Sequence, residues 1–273
     1  MSDSARAFVP GHVTGFFSAH PDDDPTKAGS RGGGLAIGDG VTVELEPGEG
    51  LELNGEAAAI EAVDRVLDAL RATARVVVET DLPLGAGFGV SGAAALGTAL
   101  TTNAVFGRGL SENELVTIAH GAEVQAGTGL GDVVAQARGG VPIRLEPGAP
   151  AHGAMDGIPQ RRPLEYRSFG ELPTEEIIAG DTDELTAAGD RALSALVAEP
   201  TLETFMESSR RFAREAGLLT PRVAEVVRDV SEAGGEASMA MLGETVFALG
   251  SGLSDAGYDA EQCSLSLAGA HVL

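Results

Sequence analysis

The sequence predicts an α+β fold in two lobes, because strand-like and helix-like segments are mixed along the chain without a regular βαβ repeat. A chain of 273 residues can bury a substantial core, either as one large domain or as two small ones. The best boundary candidate is the stretch 146–163, which is rich in Pro, Gly and Ala and has no clear periodicity. We therefore expect an N-terminal lobe over 1–150 and a C-terminal lobe over 151–273.

The chain is predicted to open with strands. Alternating or β-branched apolar residues indicate strands at 5–17, with a break at Pro10-Gly11, at 41–45 and 51–53, which alternate like a pair, and at 74–80. Turn-forming residues dominate 21–25 and 29–34. Apolar positions at helical spacing indicate a helix over 57–72.

The segments before the boundary are predicted to be mainly helical. Ser111, with Glu114 three residues later, forms a capping box that begins a helix running to about residue 125. A second glycine turn, 127–132, leads into the segment 133–138 and then a strand over 141–145.

The C-terminal half is predicted to mix both element types. Strands are expected at 164–169 and 262–267. Helices are expected near 181–198, at 201–216, from Pro221, which suits a first helical position, and, after the segment 236–242, at 244–249.

The charge of the chain limits its partners. A formal net charge of -23 and a pI near 4.4 argue against nucleic acid or an anionic membrane as a partner. Acidic residues spread along the whole chain are typical of a protein adapted to a salt-rich cytoplasm, where salt screens self-repulsion. The single Cys263 excludes an intramolecular disulfide, and no signal peptide or run of about 18 apolar residues is present. We expect a cytoplasmic protein.

A glycine-rich loop between a strand and an alanine-rich helix is the most informative feature. Gly85, Gly87 and Gly89 let the backbone approach a ligand closely, and the helix start after Ser91 favours an anion. The alternative is a tight turn that only packs a helix on a sheet. A P-loop is excluded because the only lysine, Lys27, is far from the loop. A dinucleotide site is a minor alternative, since about 80 residues precede the loop.

Three segments, at 9–17, 83–95 and 237–248, resemble in order and spacing the three motifs of the GHMP kinases. The middle segment fits the family's phosphate loop, Pro-x-Gly-x-Gly-x-Gly-x-Ser-x-Ala-Ala, at every fixed position. The resemblance implies a lobe like domain 2 of ribosomal protein S5, a ferredoxin-like lobe, ATP between them and no covalent enzyme intermediate. It also implies that ATP contacts the loop through Pro83, Gly85, Ala86, Gly87, Gly89, Ser91 and Gly92.

The same resemblance assigns the groups that phosphoryl transfer requires. Glu123 ends a helix and Asp132 follows the second glycine turn, so both can face the cleft of the glycine loop. By this resemblance Ser91 and Glu123 hold Mg²⁺, which prefers oxygen ligands, and Asp132 accepts a proton from the substrate hydroxyl or orients that hydroxyl. The alternative is that the two acids are surface charge.

The sequence departs from the usual motifs at two places. In these departures it resembles an archaeal branch of the family that phosphorylates pantoate. His12 stands where many members have lysine, and the third motif is the bulkier Ser-Met-Ala-Met-Leu-Gly at 238–243. A pantoate carboxylate needs a cation or several donors. The candidates for binding pantoate are Arg144, His120, Ser30 and His12.

Two other functions remain open. The first is the same chemistry on another small alcohol such as mevalonate, homoserine or a sugar. The second is a non-catalytic nucleotide-binding regulator on the same scaffold, against which the intact Ser91, Glu123 and Asp132 count. A homodimer is compatible with the sequence.

Overall fold

A computed structural model describes residues 4–171 and 183–273, which form two sheets covered by helices. The larger sheet has eight strands in the order β12-β1-β2-β5-β3-β4, with β6 paired to β2 and β7 paired to β6. Its strands are β1 (Ala5–His20), β2 (Gly29–Glu46), β3 (Gly50–Leu53), β4 (Glu56–Ala58), β5 (Arg75–Glu79), β6 (Val141–Glu146), β7 (Ala154–Ile158) and β12 (His271–Val272).

The smaller sheet is antiparallel, with the order β11-β8-β10-β9. Its strands are β8 (Pro163–Glu171), β9 (Ala237–Ala240), β10 (Gly243–Leu249) and β11 (Glu261–Ser264). The combination of mixed and antiparallel sheets with helices confirms the predicted α+β class.

Eight helices lie in the described ranges. They are α1 (Glu61–Ala69), α2 (Val90–Phe106), α3 (Glu112–Ala126), α4 (Asp132–Arg138), α5 (Asp183–Ala198), α6 (Leu202–Glu215), α7 (Pro221–Glu232) and α8 (Gly252–Asp255). The predicted capping box is present at the start of α3, and Pro221 occupies the first turn of α7. Residues 181 and 182, the predicted start of α5, lie outside the described residues. No helix of the described ranges is long and apolar enough to cross a bilayer.

The glycines of β2 explain why a predicted turn is a strand. The turn predicted over 29–34 is wrong, because these residues pair with β1. A Cβ at Gly32 would collide with the backbone carbonyl of Phe16, and one at Gly34 would collide with the ring of His12. Glycine is therefore selected here for close approach between strands rather than for a turn. The predicted break at Pro10-Gly11 is instead a register shift within the continuous strand β1.

Other predicted elements are also corrected. Residues 41–45 and 51–53 do not pair with each other, because β5 lies between them, antiparallel to β2 and parallel to β3. The helix predicted over 57–72 is only Glu61–Ala69, since Glu56–Ala58 pairs with β3. The boundary stretch 146–163 contains β7, which extends the larger sheet.

The helix predicted over 244–249 is wrong, because this segment is the strand β10 between β8 and β9. Five of its residues, from Thr245 to Leu249, are buried in succession. A short run buried on both faces carries no periodicity that separates strand from helix.

The second sheet meets the first at the glycine loop. The Met241 N–H donates to the Thr14 carbonyl at 2.8 Å, which brings the β9–β10 turn to β1. The Tyr166 hydroxyl donates to Asp39 at 2.8 Å, and its ring packs edge-on against Phe88 with centroids 4.8 Å apart. The loop is therefore supported from both sheets.

Candidate active site

The glycine loop leads into α2 with its backbone N–H groups unpaired. Gly85, Gly87 and Gly89 have φ angles of 71°, 89° and 63°, and Gly89 is the N-cap of α2 without a side-chain cap. Within the described ranges, no N–H group from Gly85 to Ser91 donates to a protein acceptor. The loop thus offers several donors at a helix N-terminus, which is a suitable cradle for phosphate.

The loop borders a cavity of about 440 Å³. Beside the loop residues, the cavity is lined by Ser30, Arg144, the turn 128–132, the start of α1 and the β9–β10 turn. Of the predicted site residues, the cavity lining includes Gly85, Gly87, Gly89, Ser91, Ser30, Asp132 and Arg144.

Pro83, Ala86 and Gly92 are not among the residues that line the cavity. The Ala86 carbonyl accepts a hydrogen bond from the Thr245 hydroxyl, and Gly92 lies against Val133 of α4. Their contact with ATP therefore stays a prediction.

Ser91 and Glu123 are joined directly. Ser91 Oγ donates to Glu123 Oε1 at 2.7 Å, while Glu123 Oε2 is buried and has no hydrogen-bond partner among the described residues. Burial raises the pKa of Glu123 to about 7. A Cβ built on Gly129 would come within 2.9 Å of Glu123 Oε1 and 3.1 Å of Asp132 Oδ2, so both carboxylates face the same turn.

This arrangement fits a divalent cation that is shared with a ligand. No group of three His, Cys, Asp or Glu side chains in residues 4–171 and 183–273 could hold a metal ion by itself. Mg²⁺ is commonly bound by one or two carboxylates together with substrate phosphates. The unpartnered Glu123 Oε2 and the Ser91 hydroxyl are therefore suitable ligands for Mg²⁺ beside the phosphate cradle.

Asp132, at the start of α4, is held by His12. Its Oδ1 lies 2.6 Å from His12 Nδ1. His12 is fully buried and its Nε2 has no partner in the part of the chain that the structure describes, so the neutral tautomer with the proton on Nδ1 leaves no N–H of the ring unpaired. Burial lowers the pKa of His12, against the effect of its bond with Asp132. Burial opposes ionisation of Asp132 too, but the bond from His12 and the charge of Arg144 keep the pKa of Asp132 below its ordinary value.

His12 therefore touches Asp132 and is not part of the cavity lining. Its contact with a substrate stays a prediction. His12, which stands where the motif it resembles often has lysine, thus contacts Asp132 through a neutral ring.

Arg144 is a buried cation that forms no ion pair with any residue of the described ranges, although its charge acts on Asp132. Its side chain comes from β6, is only 2% exposed, and has no hydrogen-bond partner for Nε or Nη1 in the described part of the chain. Burial lowers its pKa to about 10, so the guanidinium remains charged at neutral pH. Burying an unpaired charge is costly, which indicates that a bound anion completes this group.

Ser30 and His120 shape the surroundings of Arg144. A Cβ at Gly131 would lie 2.5 Å from Ser30 Oγ and 2.7 Å from Arg144 Nε, so these two groups adjoin the same turn. His120 is buried, and its Nε2 lies 2.9 Å from the Ala28 carbonyl, two residues before Ser30. His120 does not line the cavity, and its contact with a substrate stays a prediction.

Arg31, the next cation in this region, is already engaged. Its Nε donates to the Leu145 carbonyl at 2.7 Å, and its Nη1 lies 3.3 Å from Asp190. Arg31 thus links β2 to β6 and α5, whereas Arg144 remains free to bind an anion.

Sequence reasoning missed two polar residues beside the loop. Gln136 Nε2 donates to the Gly89 carbonyl, and Thr245 Oγ1 donates to the Ala86 carbonyl, both at 2.8 Å. Gln136 is four residues after Asp132, on the same face of α4, which is the only signal the sequence carried for it. Thr245 lies within the third motif-like segment, 237–248, but its bond to the loop was not expected, because residues 244–249 were predicted to be helical.

Glu123 is not among the residues that line the cavity, and it reaches the site through its bond with Ser91. A phosphate cradle, the carboxylate of Asp132 and a buried cation on one cavity, with Glu123 behind Ser91, define a small-molecule phosphotransferase. The family model "GHMP kinases N terminal domain" matches residues 57–140. The chain belongs to the GHMP kinase family.

Several proteins of known function are similar to this chain over most of its length. The chain is 36% identical to a pantoate kinase of Methanocaldococcus jannaschii over 250 residues, covering 89% of this chain and 91% of that protein. It is 34% identical to a pantoate kinase of Thermococcus kodakarensis over 265 residues, covering 89% and 87%. A solved structure described as a phosphotransferase related to the CoA biosynthesis pathway superposes with a TM-score of 0.87 at 31% identity, covering 99% of this chain and 98% of that one. The fold is also that of a Cytophaga hutchinsonii homoserine kinase, with a TM-score of 0.71, 18% identity, and 100% and 98% of the two chains covered.

Proposed function

We propose that this enzyme transfers the γ-phosphoryl group of ATP to the 4-hydroxyl of (R)-pantoate, giving (R)-4-phosphopantoate for coenzyme A synthesis. The observation that carries the choice of substrate is Arg144, a buried guanidinium whose Nε and Nη1 have no hydrogen-bond partner in the described residues and which lies on the same cavity as the phosphate cradle. A planar fork of donors suits a carboxylate, which mevalonate and pantoate have and a simple sugar lacks. The similarity to pantoate kinases favours pantoate among the carboxylates.

The chemistry is a direct displacement. The acceptor oxygen forms a bond to the γ-phosphorus while the bond to the bridging oxygen of ADP breaks, and the hydroxyl proton passes to Asp132, or to water while Asp132 orients the hydroxyl. The bond from His12 keeps the carboxylate ionised and fixes its direction. The N–H groups of the loop hold the phosphates, and no enzyme nucleophile is required.

Ser91 and Glu123 would hold Mg²⁺, which neutralises phosphate charge when bound. The supporting observation is the buried, unpartnered Glu123 Oε2 beside the Ser91 hydroxyl. Dependence on ATP and the acidic composition lead us to propose a cytoplasmic enzyme that works in high salt without nucleic-acid or membrane partners.

A substrate panel tests the proposal. The enzyme is assayed with ATP, Mg²⁺ and molar KCl on pantoate, mevalonate, homoserine and a sugar, and product is identified by phosphorus NMR. We expect phosphate on pantoate alone. Transfer to mevalonate or homoserine, with none to pantoate, would contradict the assignment, and nucleotide binding without any transfer would favour a regulator.

Arg144 gives the corresponding variant test. Arg144→Ala should raise the KM for pantoate by roughly 10- to 100-fold, as expected for loss of a charge-assisted contact, and should leave the KM for ATP nearly unchanged. Arg144→Lys should restore only part of the loss, because an ammonium lacks the planar fork. Steady-state kinetics in both substrates provides the measurement. The control is Arg138→Ala, whose side chain bonds the Asp156 carbonyl at the surface. An unchanged pantoate KM in folded Arg144→Ala would place the carboxylate elsewhere.

A further inference from the structure

The carbonyl groups of the glycine loop are held by three different elements. One donor from each element bonds one carbonyl: Thr245 Oγ1 of β10 to Ala86 at 2.8 Å, the His12 N–H of β1 to Phe88 at 2.9 Å, and Gln136 Nε2 of α4 to Gly89 at 2.8 Å. The donors lie on the protein side of the loop. They turn these carbonyls away from the cavity.

Holding a carbonyl also sets the direction of the next N–H group. The peptide unit is planar and trans, so the C=O of one residue points opposite to the N–H of the following residue. The bond from Thr245 therefore aims the Gly87 N–H, and the bond from Gln136 aims the Val90 N–H. Both N–H groups lack a protein acceptor in the described part of the chain, and both residues line the cavity.

The two side-chain donors have no other role in the site described above. Gln136 and Thr245 are fully buried, and neither lines the cavity. Gln136 Oε1 has no hydrogen-bond partner within residues 4–171 and 183–273, and exchanging the amide O and N would set Oε1 against the Gly89 carbonyl. The amide orientation that donates to Gly89 is therefore the favourable one.

We propose that Thr245 and Gln136 are positioning residues, which fix the peptide planes 86–87 and 89–90 so that their N–H groups meet the phosphates of the nucleotide. This inference rests on the proposed role of the loop as the ATP cradle. It gives the second sheet a part in nucleotide binding through Thr245, without any contact between Thr245 and ATP. A glycine loop is flexible by itself, and these bonds would remove that freedom before ATP arrives.

Thr245→Val removes the hydroxyl and keeps the shape of the side chain. We expect the Kd for a non-hydrolysable ATP analogue with Mg²⁺, measured by calorimetry, to rise about 10-fold, with the KM for pantoate within about 2-fold of wild type. Thr245→Ser, which keeps the donor, should restore most of the affinity. The matched control is Thr98→Val, which removes another fully buried hydroxyl, bonded to the Ala94 carbonyl within α2. The control should leave the Kd unchanged.

Gln136→Met provides a second, independent variant. It removes the hydrogen-bond donor and keeps a side chain of similar length. It should weaken analogue binding in the same way, with thermal unfolding used to confirm that each variant is folded. Wild-type Kd for the analogue in a folded Thr245→Val or Gln136→Met, or equal weakening by Thr98→Val, would overturn the inference. The wild-type enzyme tests the proposed function by its transfer to pantoate, and the ratio of variant to wild-type Kd tests only the positioning role.

Discussion

At the scale of single residues, the site depends on three ionisable groups, of which Arg144 and Glu123 are buried and Asp132 is partly exposed. In the described residues Arg144 forms no ion pair and Glu123 Oε2 has no hydrogen-bond partner, whereas Asp132 is bonded to His12. The first two groups are incomplete without ligands, whereas the third is already prepared in the free protein. Ligand binding should therefore stabilise the fold as well as permit catalysis.

His12 can be tested through the pH dependence of catalysis. Loss of its bond should raise the pKa of Asp132, so in His12→Ala the acid limb of the kcat profile should move to higher pH. At pH 7 we expect kcat to fall about 10-fold. His12→Asn, whose amide can donate near the position of Nδ1, should lie close to wild type. The profiles are measured at saturating Mg²⁺, ATP and pantoate. An unshifted acid limb in His12→Ala would contradict the positioning of Asp132 by His12.

Glu123 makes the stability of the free protein depend on pH. The pKa of Glu123 is about 7 in the folded protein, whereas the ordinary value is 4.5. Between these two pH values the folded protein keeps a proton that the unfolded chain releases. This retained proton contributes at most about 3 kcal/mol to the free energy of unfolding. The contribution is complete below pH 4.5 and is lost as the pH rises through 7. We expect the Tm of wild type, without Mg²⁺, to fall between pH 5 and 8 relative to Glu123→Gln.

The matched control for this experiment is Glu112→Gln, which removes an exposed carboxylate at the start of the same helix. This control should keep the fall in Tm. With nucleotide present, the affinity for Mg²⁺ should rise with pH through 7, since the metal needs the ionised carboxylate. A Tm difference between wild type and Glu123→Gln that does not vary with pH would refute the assigned pKa.

At the scale of elements, the glycine loop and the β9–β10 turn are fitted to each other. Gly87 has a φ of 89°, and a Cβ built there would come 3.1 Å from the Met241 carbonyl and 3.2 Å from the Gly243 N–H. A Cβ at Gly243 would in turn collide with the Ala86 carbonyl. The loop and the turn are therefore in backbone contact, which only glycine permits at these two positions.

Gly87→Ala should weaken ATP binding because it strains the φ angle and pushes against the β9–β10 turn. We expect the Kd of the ATP analogue to rise by about 5- to 150-fold, corresponding to about 1 to 3 kcal/mol of backbone strain. The control is Gly107→Ala at the C-cap of α2, where φ is 57° and the surrounding space is open. The control should lower the Tm and keep the Kd. Equal Kd values for Gly87→Ala and wild type would exclude a fitted cradle.

The sequence predicted the elements that carry their own local signals. The capping box at Ser111, Pro221 at the start of α7 and the strand before the glycine loop are all confirmed. The strand β10 and the glycine-rich start of β2 were missed, because both are defined by what packs against them rather than by periodicity. The same holds for the site.

The motif residues Ser91, Glu123 and Asp132 were assigned from the resemblance to the family's motifs, and the structure brings them to one turn. The bonds of Thr245 and Gln136 join residues 159 and 47 positions apart from their acceptors, and no sequence window contains such pairs. The unpaired state of Arg144 is likewise a property of the folded interior alone.

At the scale of the whole molecule, the two sheets cooperate at one place. The larger sheet supplies β1 and β6, which carry His12 and Arg144, and the smaller sheet supplies the β9–β10 turn and Thr245. The glycine loop lies where they meet, so closure of the cavity and support of the loop depend on the same contacts. A substitution that disturbs the packing between the two sheets should therefore change the affinity for nucleotide even when Glu123 and Asp132 keep their positions.

The net charge of -23 makes the stability of the whole chain depend on salt. Carboxylates repel each other more in the compact state than in the unfolded chain, and salt screens that repulsion. The Debye length falls from about 10 Å at 0.1 M to about 3 Å at 1 M, so we expect the Tm to rise steadily over this range of KCl. A Tm that stays flat would contradict adaptation to high salt. The Tm is measured by scanning calorimetry in KCl and in sucrose of the same osmolality. Sucrose is uncharged, so it is excluded from the protein surface without screening charge, and the comparison separates the two effects.

A variant with fewer charges completes the test of this salt dependence. Glu49, Glu56 and Asp68 are exposed and form no ion pair with any residue in the described ranges. Replacing them by Gln, Gln and Asn lowers the net negative charge by three while leaving the site intact. Because repulsion is reduced, this variant should be more stable than wild type at 0.1 M KCl and should gain less from added salt. If the two proteins gain equally, the salt effect does not arise from repulsion among surface carboxylates.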